Sequence, residues 1–454
     1  MKKPKNVPVL LACLAALFSV GCASQSPPDG GKAAPGVTQA AYAQSSGDIS
    51  VPGRGLADKL AWLQANAQSK RGYILELSAN ESIGPQDLFY SRRDNITITL
   101  RGIKANRTIS LTSDGHLFGV FEGVTLILDN NITLQGRESN TSALVFVYSG
   151  AALRMNDGAA ITDNTPLIDE EYGYATGGGG VYVTRNAAFT MSGGTISGNS
   201  AQRGGGVFTA GTFTMHSGTI SDNAAFIGGG VYVDEDGTNN IRPFIVGDGV
   251  YVDEGGIFER GTFEGGTFTM SGGTISDNAA EGGGGVHVDT GGTFTMSDGT
   301  ISGNSARDGG GVNIGDATFT MSGGTVSGNV ASKGGGVLVW GGTFTMNEGI
   351  VSGNSAWMGG GVDVLWGTFT MSGGTVSGNS SEKSGGGVSV LGTFTKTSGT
   401  IYGSNAGANS NTAMEGGGHA VCVWIDTGDY RRESSAGPNV RLDSSKAGAA
   451  GGWE

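Results

Sequence analysis

A chain of 454 residues with 86 glycines, 10 prolines and 15% charged residues is neither collagen nor a flexible linker, because its glycines fall at fixed places between β-branched and aromatic runs and not at every third position. The formal net charge of -13 argues against nucleic acid as a partner, since an acidic surface repels phosphate backbones. Of the three cysteines, Cys13 lies in the leader and Cys22 at its end, so Cys422 stands alone in the mature chain and no intramolecular disulfide framework is possible.

Met1 to Lys5 is a basic n-region, and Val7 to Val20 is an apolar run too short for a comfortable membrane span. Ser19-Val20-Gly21-Cys22 follows and resembles a lipobox, in which cleavage precedes a cysteine carrying a diacylglycerol thioether. Residues 1–21 are therefore read as a lipoprotein signal peptide and Cys22 as the lipidation site, with an ordinary cleavable signal as the alternative. Acyl chains on Cys22 would hold the protein to the cell envelope, with the outer membrane and a surface-exposed body as the expected location. Residues 22–50, rich in Ser, Gln, Pro, Gly and Ala, read as a flexible tether.

Residues 51–115 read as an N-terminal cap leading into a solenoid. Leu56, Leu60, Leu63 and Ala67 share one helical face, which predicts one short helix over 55–69. Tyr73 to Leu77 and Ile96 to Leu100 alternate as strands. An open solenoid end exposes unpaired backbone, so a cover is required there.

Residues 116–426 read as a right-handed parallel β-helix of about 25 residues per coil, an all-β fold. Val124 to Leu134 and Leu144 to Met155 are degenerate coils. From Phe189 the pattern is plain: Thr-Phe-Thr-Met or a variant ends at Met191, Met215, Met270, Met296, Met321, Met346, Met371 and Lys396. Three short strand-like runs emerge per coil. Phe and Met share one face of the first, a column of Ile or Val from Ile196 to Val376 marks the second, and paired valines such as Val337 and Val339 mark the third. Glycines separate the runs, where tight corners need positive φ, and short polar pieces such as Gln202-Arg203 or Ser332-Lys333 read as corners. Asn199, Asn223, Asn278, Asn304, Asn329, Asn354 and Asn379 form a column that predicts a structural hydrogen-bond ladder. The long step from Met215 to Met270 holds a second copy of Val-Tyr-Val-Asp-Glu, at 231–235 and 250–254, as either an irregular coil or a looped-out duplication. Residues 427–454 read as a loose tail or partial end cap.

The repeat resembles the Gly-Gly-x and Phe-x-x-Asn repeats of the polymorphic outer-membrane protein family, with Ile196-x-x-Asn199 and its copies in place of the second motif. It is closer to the β-helix repeat lipoproteins of treponemes, whose cap wording Leu60-Ala61-Trp62-Leu63-Gln64 also matches. The resemblance covers about 116–425 and implies a surface, adhesin-like role. No C-terminal membrane barrel follows the repeats, which leaves the lipid as anchor.

Two groups of residues are candidates for chemistry. Asp234, Asp253 and Asp289 each follow a valine strand; with Glu235 and Glu254 their carboxylates would offer Ca²⁺ several oxygen ligands if the coils stack, and are solvated turn acids otherwise. Trp340, Trp357, Leu365 and Trp366 stand at corners flanking the third strand, where exposed indoles stack on sugars or anchor a protein; local packing is the alternative. The third strand's outward residue varies, through Tyr182, Phe208, Tyr232, His287, Asn313, Leu338, Asp363 and Ser389. His116, His216, His287 and His419 are scattered and no nucleophile–base set is evident. The preferred expectation is a non-enzymatic adhesin-like protein that binds host matrix, a glycan or a cell-surface partner, with no cofactor beyond that Ca²⁺ candidate. A polysaccharide lyase or hydrolase, and a structural envelope protein or antigenic decoy, are the alternatives.

Overall fold

The computed structural model describes residues 47–166, 177–234, 265–404, 406–414 and 417–424, with the backbone of four further strands, Tyr251–Asp253, Gly256–Phe258, Tyr430–Arg432 and Val440–Asp443. The signal peptide, Cys22 and the tether up to residue 46 lie outside the described residues, as do Glu235 and Glu254. The described chain is a right-handed parallel β-solenoid of about 12 turns, each of about 26 residues. Three sheets carry it, of 20, 13 and 8 strands, parallel apart from one antiparallel strand in each of the first two.

One coil shows how the repeat folds. Thr293–Ser302 is a single long strand, so the first two runs of the repeat merge. A register irregularity follows Met270 without ending the strand, whereas the strand breaks after Met371 and Lys396. Phe294, Met296 and Ile301 point inward and are fully buried. Each phenylalanine lies in register with the next, from Phe189 to Phe394, and their rings stack at 4.6–5.0 Å between centroids. That is the hydrogen-bonding distance between strands, so backbone pairing and ring stacking satisfy each other.

The asparagine column closes the next corner. Asn304 Nδ2 donates to Asn329 Oδ1 (3.0 Å) and to the Ile275 carbonyl (3.0 Å), and its backbone N–H donates to Asn329 Oδ1 (3.0 Å). The same pattern runs from Asn199 to Asn379 and ends on Asn411. Every member is buried, and its polar atoms are bonded.

The segment after each asparagine corrects the reading of corners. Ser200–Arg203, Val330–Lys333 and their equivalents are strands of the eight-stranded sheet. Their inward residue is small: Ala201, Ala280, Ala331 and Ala356 are buried. An alanine column carries little hydrophobic signal, so the alternation goes unseen in the sequence.

A glycine triplet follows. Only its first member needs a left-handed φ, as at Gly334 (φ +61°). The other two are required by the next coil, because a Cβ on Gly335 or Gly336 would lie 2.6 Å from the carbonyl oxygen of Gly360 or Gly361. The three-residue valine strand, such as Val362–Val364, then completes the turn.

At the N-terminal end, Leu56–Asn66 is helical and buries Leu56, Leu60 and Leu63 against the core. Its first N–H, on Leu56, donates to Glu81 Oε2 (2.7 Å), and the chain leaves the helix at Ala67. Gly72–Leu77 pairs with Ile96–Gly102, and that strand with Val124–Leu128. Coils thus begin well inside 51–115. The long step resolves as an insertion: Val231–Val233 pairs directly with Val286–Val288, while Tyr251–Asp253 pairs antiparallel with Gly256–Phe258. At the other end, Tyr430–Arg432 and Val440–Asp443 add antiparallel to Val421–Val423 and Thr393–Lys396 and cover two sheet edges. No helix among the described residues is long and apolar enough to cross a membrane.

Candidate functional site

In each valine strand the two flanking residues face the core and the middle one faces out. The outward residues run in register from Phe146 through Tyr182, Phe208, Tyr232, His287, Asn313, Leu338, Asp363 and Ser389 to Cys422. Alternation predicts this column to face outward. Most of it is buried, with Asp363 only 1% exposed. The unforeseen short strand and the turn after the valines raise side chains on either side of it, so the column becomes the floor of a groove.

The N-terminal part of the floor is aromatic. Phe146, Tyr182, Phe208, Tyr232 and His287 stack ring on ring at 4.4–5.3 Å. Tyr182, Phe208 and Tyr232 form, with Ala143 and Ala210, a small cluster separate from the main core, with Phe146 packed against it, and the Arg203 guanidinium lies over Tyr232.

Asp234 and Asp289 follow their strands on adjacent coils. The Asp289 N–H donates to the Val233 carbonyl and the Asp234 N–H to that of Thr209. The Tyr232 hydroxyl donates to the Asp289 carboxylate and lies 3.5 Å from Asp234 Oδ1. Burial pushes the Asp289 carboxyl up, but His287, the Tyr232 hydroxyl and the Thr290 N–H outweigh it and hold its pKa below the ordinary value. Burial also lowers the His287 imidazole to about 4, so it is neutral at physiological pH, and raises the Tyr232 phenol. Asp253 belongs to the antiparallel hairpin and not to the stacked column. Among the described residues, no group of three or more His, Cys, Asp or Glu is placed to hold a metal ion.

The tryptophans mark the C-terminal part of the groove. Trp340, Trp357 and Trp366 are 46%, 43% and 68% exposed. Trp366 sits on the coil next to Trp340, its N–H donating to the Trp340 carbonyl (3.0 Å). Trp357 lies across the valine strand from them, in Ser355–Met358, and so in a strand and not at a corner. Leu365 departs from the expectation of an exposed corner. Its N–H bonds the Val339 carbonyl, and its side chain is buried in the groove wall.

Trp357, Met358, Leu365, Leu391 and Trp424 line a cavity of about 280 Å³, with Asp363 and Ser389 also in its lining. Trp424 Nε1 donates to Ser389 Oγ (3.2 Å). The Lys383 ammonium lies over both indoles, 4.6 Å from the centroid of Trp357 and 5.2 Å from that of Trp424. Lys333 sits over Trp340 at 5.6 Å. The carboxylate of Asp363 is buried with no well-formed hydrogen bond, and the Ser389 hydroxyl is the side-chain donor near it. Burial is the main reason its carboxyl is raised to about 7, with Lys333 and Ser389 opposing and Asp308 adding to the rise.

The structure therefore brings Trp357 and Leu365 into one site, with Trp340 and Trp366 on its flank. The sequence reading missed Asp363, Lys383, Ser389, Leu391 and Trp424 as members. Asp363 and Ser389 were visible in the variable column; Lys383 joins only because Ser380–Ser384 is a strand. Cys422 is buried on the same column, in register with Ser389.

No protein-family model matches this chain, and no curated protein or solved structure matches it either.

Proposed function

We propose that this chain is a lipid-anchored, surface-exposed binding protein without enzymatic activity, which holds an adhesin-like contact with a host matrix protein, a glycan or another cell-surface partner. The observation that carries the reading is the set of three exposed tryptophans beside a groove on a rigid parallel scaffold. Indoles are costly to leave in water and enriched where partners bind. The repeat's resemblance to treponeme lipoproteins and polymorphic outer-membrane proteins supports a surface location. The lipobox-like run ending at Cys22 supports an anchor in the outer membrane.

The test uses residues 23–454, purified without lipid, on an array of glycans and matrix proteins, with release of sugar fragments followed in the same sample. The expected result is saturable binding, no fragments, and loss of binding when Trp340, Trp357 and Trp366 are replaced by Ala in a chain with unchanged circular dichroism. Fragment release would overturn the non-enzymatic reading. Binding indifferent to all three tryptophans would remove the face.

A further inference from the structure

We propose that the groove between Trp357 and Trp424 takes a cationic side chain, the ammonium or guanidinium group of a basic protein segment, with Asp363 as its counter-charge and Lys383 as the group it displaces. The inference rests on the reading that this face binds a partner, and names the chemistry of what it binds.

Two indole faces and a carboxylate are what a desolvated organic cation requires. The walls already hold one: the Lys383 ammonium lies within cation–π distance of both rings. It satisfies the indoles and leaves the floor without a counter-charge, since the Ser389 hydroxyl is the polar group nearest Asp363 and no cation approaches the carboxylate within ion-pair distance among the described residues. A buried carboxylate without a counter-charge costs stability, and an incoming cation that reaches it recovers that cost in the bound state. Lys383 is half-buried on a long flexible stem, so its head returns to water easily. The net charge of -13 draws basic partners toward the surface.

An acidic glycan fits these facts less well. It would use Lys383 and Lys333 as contacts but would set a second anion over Asp363. The groups that bear on Asp363 are Lys333, Asp308 and Ser389, with Lys383 at the groove mouth. Its carboxyl titrates near 7, so a cation binds the ionised form and affinity rises with pH through that region.

The test is calorimetric titration of the mature chain with an acetylated, amidated hexalysine peptide at low salt. Saturable binding is expected, weakened about tenfold by Asp363→Asn, the scale of one well-placed charge contact. Lys383→Ala is expected to tighten binding about threefold, because the resident competitor is gone. Glu348→Gln, which removes an equal charge from an exposed site elsewhere, should change nothing. Affinity should climb from about pH 5 to about pH 8 in the parent and stay flat in Asp363→Asn. Absence of hexalysine binding, or equal weakening by Glu348→Gln, would overturn the proposal. So would an acidic glycan that binds and is lost in Lys383→Ala, although the binding face itself would then stand. Loss of every partner on the array would remove both readings together.

Discussion

The valine strands hold two columns one residue apart that differ in every respect except backbone. The inward column, Val312 and Ile314, Val337 and Val339, Val362 and Val364, is nearly invariant and fully buried. The outward column passes through Asn313, Leu338, Asp363 and Ser389 in successive coils. The inward residues must stack on their own kind, because each coil packs on the last at strand spacing. The outward residues stack on their own kind only in the aromatic stretch from Phe146 to His287, and beyond it they differ from coil to coil. The fold is therefore held by repetition, and the surface that distinguishes one coil from another is free to carry binding.

The largest effect should come from breaking the repeated side. Phe319→Ala removes one ring from the middle of the stack and should cost about 3–5 kcal/mol in urea unfolding. The outward side should respond in the opposite sense at Asp363. Its carboxyl is raised to about 7 from an ordinary 3.8, so the folded chain keeps a proton that the unfolded chain has lost between those values. Stability falls as pH rises through that window and stays low above it. Asp363→Asn should therefore add nothing near pH 4 and on the order of 2–4 kcal/mol at about pH 8, read from unfolding at the two pH values.

A smaller loss, about 1–3 kcal/mol, is expected for Gly335→Ala, which drives a methyl into the Gly360 carbonyl of the next coil. The smallest effect concerns Cys422. Its thiol is buried, so a thiol reagent added to the native chain should leave it unmodified until denaturant is added. Rapid native labelling would mean that the C-terminal end of the column is open.

The same contrast explains what the sequence made legible. Phenylalanine, methionine, valine and asparagine each fill one column with one residue type, and periodicity exposes such columns directly. The short strand at Ser355–Met358 escaped because its inward residue, Ala356, is small and its outward residues vary. Without that strand, Trp357 and Lys383 have no side of the groove to stand on, and Trp424 has no reason to face them across the chain. Asp363 was legible only as an outward residue, because alternation gives direction and says nothing of cover. Cover came from Trp357, Met358 and Leu365, which the register of two different sheets sets around it.

On the proposed function, the outward residues carry binding while the inward ones carry the fold. The most direct measurement gives the coil around Asp363 the residues that earlier coils carry at the same places, Trp357→Ser from Ser332 and Asp363→Asn from Asn313, and follows unfolding and partner binding on one preparation. The account predicts an unfolding transition as stable as the parent's or more so, with binding to the array partner and to hexalysine lost. A chain that unfolds earlier, or one that binds as the parent does, would contradict it.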